Sequence, residues 1–177
     1  EILRIGLPNG FGLAAEVGMF AMVSLLMGTF GVTAIAGHQV AINIASVTFM
    51  LPMGLSIAIS IRVGQAKGRG DYVDTRYIGY AGIILSILIM AVTASVFILI
   101  PEKIVGLYSD DANVRTLAVQ LLYMAAIFQL SDGMQVGALG ALRGLKDTKI
   151  PLVANIAAYW GLGLPLAYLV GIHFNVG

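Results

Sequence analysis

The chain has 177 residues, 59% of them hydrophobic and only 11% charged, with a mean hydropathy of +0.93. A soluble domain carries about a quarter charged residues, so the composition excludes an ordinary soluble globule and indicates a polytopic membrane protein. The net charge is +1 with no basic tract, which leaves no case for a nucleic-acid partner. The absence of cysteine excludes disulfides and thiolate metal sites.

The charged residues leave long gaps. Between Arg4 and Arg62 only Glu16 intervenes, between Arg76 and Glu102 nothing does, and between Arg115 and Arg143 only Asp132. These gaps exceed the roughly 20 residues that span a bilayer as helix. The first predicted span covers about 5–27, with Pro8 of "GLPNG" in its first turn, where the missing N–H matters least. An uncharged turn, "GTFGVTAIAGHQ", leads to a second span at about 35–61, in which Pro52 predicts a kink. His38, at the edge of that turn, reads as a solvated loop histidine. The polar loop "RVGQAKGRGDYVDTR" precedes a third span at about 77–100, ended by Pro101. In the next loop Ser109, Asp110 and Asp111 can cap a helix, and the fourth span follows at about 116–142. After "RGLKDTKIP", Pro151 opens a fifth span, at about 150–170. The start at Glu1 has no signal-peptide pattern and reads as the interior of a longer chain.

Arg4, Arg62, Lys67, Arg69, Arg76, Arg143, Lys146 and Lys149 fall on one side of these spans, and Lys103 and Arg115 on the other. The positive-inside rule places the first group in the cytoplasm. The expected class is therefore all-α, a bundle of transmembrane helices.

Two acids lie inside spans. Glu16 is 11 residues into the first, about 16 Å of helix rise, and Asp132 is 10 residues before the inner end of the fourth, about 15 Å. Both are expected near the midplane. A carboxylate there costs roughly 2.5–3.5 kcal/mol on insertion scales and usually faces a cavity or an ion pathway. It can take up and release a proton, or two such groups with nearby amide oxygens can hold a hard cation such as Na⁺. Alternatively, each acid is protonated and bonded to a neighbouring helix. No span carries a basic residue to pair with them, which favours function.

Gln129 and Gln135 lie three residues on either side of Asp132, and Phe128 lies one turn before it, broadly on one face, which makes all three candidates for lining a cavity. Gly133, Gly137 and Ala141 are spaced by four on another face and predict close helix packing. Asn43 in the second span and Asn155 and Tyr159 in the fifth either bond across helices or line a cavity. Trp160 is too deep for an interfacial belt and packs or lines a binding surface. The methionines read mostly as lipid-facing or core filler. No catalytic or phosphate-binding motif is present, so neither an enzyme nor an ATP-driven pump is expected, and no cofactor.

"GLPNGFGLAAEVGMF", "AGHQVAINIASVTFMLPMGLSIAISIRVGQ" and "SDGMQVGALGALRGLKDT" resemble the C-terminal half of multidrug and toxin extrusion (MATE) transporters of the NorM type, and the similarity covers essentially the whole chain. The resemblance implies five spans of a six-helix lobe, with the N-terminal bundle and the last helix outside this sequence. It implies a bacterial multi-pass protein of the cytoplasmic membrane, in contact with lipid, exporting drugs and dyes in exchange for Na⁺ or H⁺. It assigns cation binding to Glu16 in "AAEVG" and Asp132 in "LSDGMQV". Members often have a tyrosine one turn before that aspartate; here Phe128 takes its place and a phenolic ligand is lost. Two other readings stand beside this one. A flippase of related fold for a lipid-linked substrate would favour a basic cavity, and no span supplies one. A non-transporting scaffold would leave the two acids unexplained.

Overall fold

The computed structural model describes residues 2–163. Among them the elements are α1 (Ile2–Met27), a 3₁₀ turn (Gly28–Phe30), α2 (Val32–Gly68), α3 (Tyr72–Leu99), the short α4 (Pro101–Val105), α5 (Ala112–Gly144) and α6 (Lys149–Ile156). α6 runs on into a π-helical stretch, Ala157–Gly163. No strand occurs among the described residues, and the protein is all-α as expected. α2, α3 and α5 are long and apolar enough to cross a membrane, and α1 contains a shorter apolar stretch, Gly10–Leu25. The fifth predicted span begins in α6, and its part beyond residue 163 lies outside the described residues.

The helices are longer than the charge gaps suggested. Charged side chains at a span's end do not stop a helix; backbone chemistry does. α2 continues through Arg62 and Lys67 and ends only before Gly70, whose φ of 76° belongs to the left-handed region. Asp71 then caps α3 by accepting from the Asp74 backbone N–H at 2.9 Å. The first turn is likewise shorter than expected: Gly31, with φ 103°, completes it, and α2 begins at Val32. His38 is therefore not a loop residue. It lies in α2 and is 9% exposed. Pro8 is also not in a first turn, because α1 begins at Ile2; one proline removes a single helical bond and the apolar run before it continues the helix. Pro52 sits inside α2 without ending it, and Pro101 opens α4.

The described residues form two compact units. In the first, α1 packs against α6 and the π-helical stretch. Trp160 Nε1 donates to the Ala15 carbonyl at 3.0 Å, and the indole lies over Gly18, where a Cβ would stand 3.3 Å from the ring. Trp160 thus packs on α1, one of the two roles expected of it.

The second unit, Ala36–Lys146, is a three-helix bundle of α2, α3 and α5, with α4 closing one end. Ala41, Ile44, Ala94, Phe97, Val105, Ala118, Leu122 and Ala126 form its core there. Towards the other end glycines let the helix backbones come close to buried Ile59, Val63 and Met90. A Cβ at Gly133 or Gly137 would come within 3.0 Å of Ser86 or Ile83 on α3, and one at Gly140 or Gly144 would stand 2.6 Å from a carbonyl of α2. The Gly133/Gly137/Ala141 row is thus the α3 contact, and Gly140 and Gly144 form a second contact, with α2. Large apolar side chains point outward instead, among them Met50, Ile57, Leu88, Val92, Ile127 and Met134. A lipid-facing bundle is built this way, because lipid offers no hydrophobic penalty to exposed apolar groups and close backbone packing must hold the helices.

The same unit orders the charges. Lys67 Nζ donates to the Leu145 carbonyl at 2.8 Å, joining the ends of α2 and α5 that carry Arg62, Arg143 and Lys146. At the opposite end, Arg115 Nη2 lies 3.5 Å from the Glu102 carbonyl.

Candidate functional site

The site is organised around α5. Its start is fixed by Asp111, whose carboxylate accepts from the backbone N–H groups of Asn113 (2.8 Å) and Val114 (3.1 Å). Of the three predicted capping candidates, Asp111 is the one used. From this cap the helix runs 33 residues to Gly144.

Five turns along it lies Gln129, 3% exposed. Its amide bridges two other helices. Nε2 donates to Thr48 Oγ1 on α2 at 3.1 Å, and Oε1 accepts from Thr93 Oγ1 on α3. Thr48 in turn donates to the Ala45 carbonyl at 2.8 Å. A buried amide is stable only when its polar atoms are paired, and here each end is held by a different helix. A second cross-helix bond, Ser56 Oγ to the Val136 carbonyl at 2.9 Å, lies two turns further on.

Asp132 lies between these two bonds. Gln129 and Val136 are buried, Phe128 and Ser131 are exposed, and Asp132 is partly buried at the margin between the two faces. No hydrogen bond or ion pair holds its carboxylate among the described residues. Since Thr48 pairs with Gln129 and Ser56 with Val136, Asp132 is level with Pro52 on α2. Proline has no N–H to give the carbonyl four residues earlier, so Thr48 O lacks its usual helical donor.

The other candidates divide as follows. Phe128 is 65% exposed, and Gln135 is partly buried. Asn43 accepts from the Tyr108 hydroxyl at 3.1 Å, tying α2 to the turn after α4. It lies nine residues from Pro52, about 13 Å along α2. Glu16 on α1 and Asn155 on α6 are partly buried members of the first unit; the side chain of Tyr159 lies outside the described residues. His38 Nδ1 is buried and meets no partner among them. Sequence reasoning missed Thr48 and Thr93. A threonine four residues before a proline inside a span, and one at matching depth in the next span, were the available signals.

All described elements are helical, and three of the helices are long and apolar enough to cross a membrane, the pattern of a multi-pass membrane protein. The MatE family model matches residues 8–169, and the chain belongs to that family. It is 48% identical over 166 residues to the probable multidrug resistance protein NorM of Xanthomonas campestris pv. campestris, a match covering 94% of this chain and 36% of the relative. It is 43% identical over 182 residues to the multidrug resistance protein NorM of Burkholderia vietnamiensis, covering 100% of this chain and 39% of the relative. The NorM protein of Photobacterium profundum is 43% identical over 172 residues, covering 97% and 38%. The chain thus spans rather more than a third of the length of these bacterial relatives.

Proposed function

We propose that this chain forms part of a multidrug exporter of the bacterial cytoplasmic membrane, an antiporter in which inward movement of Na⁺ or H⁺ drives drugs and dyes out. Asp132 and Glu16 are the coupling carboxylates in this reading. The observation that carries it is the placement of Asp132: a carboxylate in a membrane-length helix, partly buried, without a hydrogen bond or ion pair among the described residues. A group kept at that depth for structure would be bonded to a neighbouring helix, as Gln129 is. A carboxylate without such a bond, as Asp132 is among the described residues, is available to gain and lose a cation or proton. If the ion is Na⁺, a hard cation takes oxygen ligands, and the Asp132 carboxylate supplies two. If it is H⁺, the carboxylate alone suffices. Family membership and the relatives' names support the drug substrates; chemistry on the enzyme pattern has no motif to support it.

The test is efflux of a fluorescent cationic dye from cells expressing equal amounts of the full-length transporter, with and without an imposed ion gradient. Asp132→Asn and Glu16→Gln keep size and hydrogen-bonding capacity but remove the ionisable group. Each is expected to abolish gradient-driven efflux while inserting normally. Wild-type efflux in both single variants would reject the reading.

A further inference from the structure

We infer that Gln129 is a positioning residue for Asp132: its amide fixes the rotation of α5 so that the carboxylate is held at the margin of the three-helix unit. The inference rests on the coupling role proposed for Asp132. Among the described residues Gln129 is the only polar side chain of α5 in the buried set. It is bonded on both sides, through Nε2 to Thr48 on α2 and through Oε1 to Thr93 on α3. Rotating α5 about its axis breaks at least one of these bonds. Asp132 follows one turn later, where a change of helix rotation carries it directly towards or away from the packed face. The next residue holds α5 close to α3, since a Cβ added at Gly133 would stand 2.9 Å from Ser86 O and 3.0 Å from Met90 Cγ. The clamp therefore sets the angle and the glycine contact sets the spacing.

A merely structural glutamine would affect how much transporter folds. A positioning glutamine affects how the ion is handled by the molecules that do fold. The experiment measures dye efflux by the full-length transporter in proteoliposomes as a function of Na⁺ concentration and of pH, normalised to folded protein, alongside equilibrium dye binding without a gradient. Gln129→Leu keeps the volume and removes both bonds. It is expected to shift the half-saturating ion concentration by about tenfold, the scale of a net hydrogen bond, with dye binding unchanged. Thr93→Ser keeps the hydroxyl and should restore wild-type ion dependence; Thr93→Val and Thr48→Val each remove one bond and should shift it in the same direction by less. Unchanged ion dependence in Gln129→Leu overturns the inference. Should Gln129→Leu fail to fold, the two valine variants decide, and wild-type ion dependence in both overturns it equally. Asp132→Asn run in parallel separates the claims: loss of all ion dependence there with none of the shifts at 129, 93 and 48 leaves the coupling role standing and removes the positioning role. Wild-type ion dependence in Asp132→Asn removes both.

Discussion

Gly140 on α5 lies against the backbone of Ser56 on α2 so closely that a Cβ would stand 2.6 Å from the Ser56 carbonyl oxygen. The same serine donates its hydroxyl to the Val136 carbonyl, one turn earlier on α5. Close approach and hydrogen bond reinforce each other, because the bond needs the backbones near and only glycine lets them be near. Gly140→Ala is expected to destabilise the protein by about 1–3 kcal/mol, the range for overpacking a tight contact. Gly54, on the same helix as Ser56, has nothing within 4 Å. Gly54→Ala should have the opposite sign, a gain of roughly 0.5–1 kcal/mol from helix propensity. Thermal unfolding of the two variants in detergent checks both signs at once; equal effects would mean that the Gly140 contact is not tight.

The start of α5 depends on one carboxylate of a neighbouring pair. Asp111 accepts two backbone N–H groups, while Asp110 is exposed and takes no part in the cap. Asp111→Ala should cost about 0.5–2 kcal/mol, and Asp110→Ala close to nothing. Hydrogen exchange at residues 112–116 should accelerate in the first variant only. Equal exchange in both would contradict the cap assignment.

In the first unit, Trp160 bonds the Ala15 carbonyl while covering Gly18. Trp160→Phe keeps an aromatic ring and loses the donor, so a loss of about 0.5–1.5 kcal/mol is expected. Gly18→Val should cost more, because its side chain has to displace the indole. Thermal unfolding of both variants measures the order; a harmless valine would show that the indole does not pack there.

Much of this architecture was legible from charge and composition, for a physical reason. The bilayer makes charged groups and unbonded backbone costly, so the spans announce themselves as gaps with no charge between Arg76 and Glu102 or only Asp132 between Arg115 and Arg143. The row Gly133/Gly137/Ala141 was legible as packing because its spacing by four leaves little else for it to do. Helix ends were less legible. α2 passes Arg62 and Lys67 because a long basic side chain can reach water from within a helix, and the sequence marks only Gly70 as a true break. His38 was misplaced in a loop because its neighbours carry neither charge nor proline to show which side of the turn they belong to. Asp132 stood out by its charge alone. Its partners in depth, Thr48 and Thr93, carry no charge and differ from other span threonines only through a three-dimensional register that α2, α3 and α5 establish together.

The central claim, that the Asp132 carboxylate couples ion movement to drug movement, is tested most directly by ion flux elicited by substrate. Full-length transporter is reconstituted in proteoliposomes under an imposed Na⁺ or H⁺ gradient, and the ion's movement is recorded when a cationic dye is supplied. The wild type is expected to show dye-dependent ion flux. Asp132→Asn, present in equal amount and still binding the dye, is expected to show none, because an amide cannot exchange a proton and binds a cation weakly. Dye-dependent ion flux at the wild-type rate in Asp132→Asn would contradict the account.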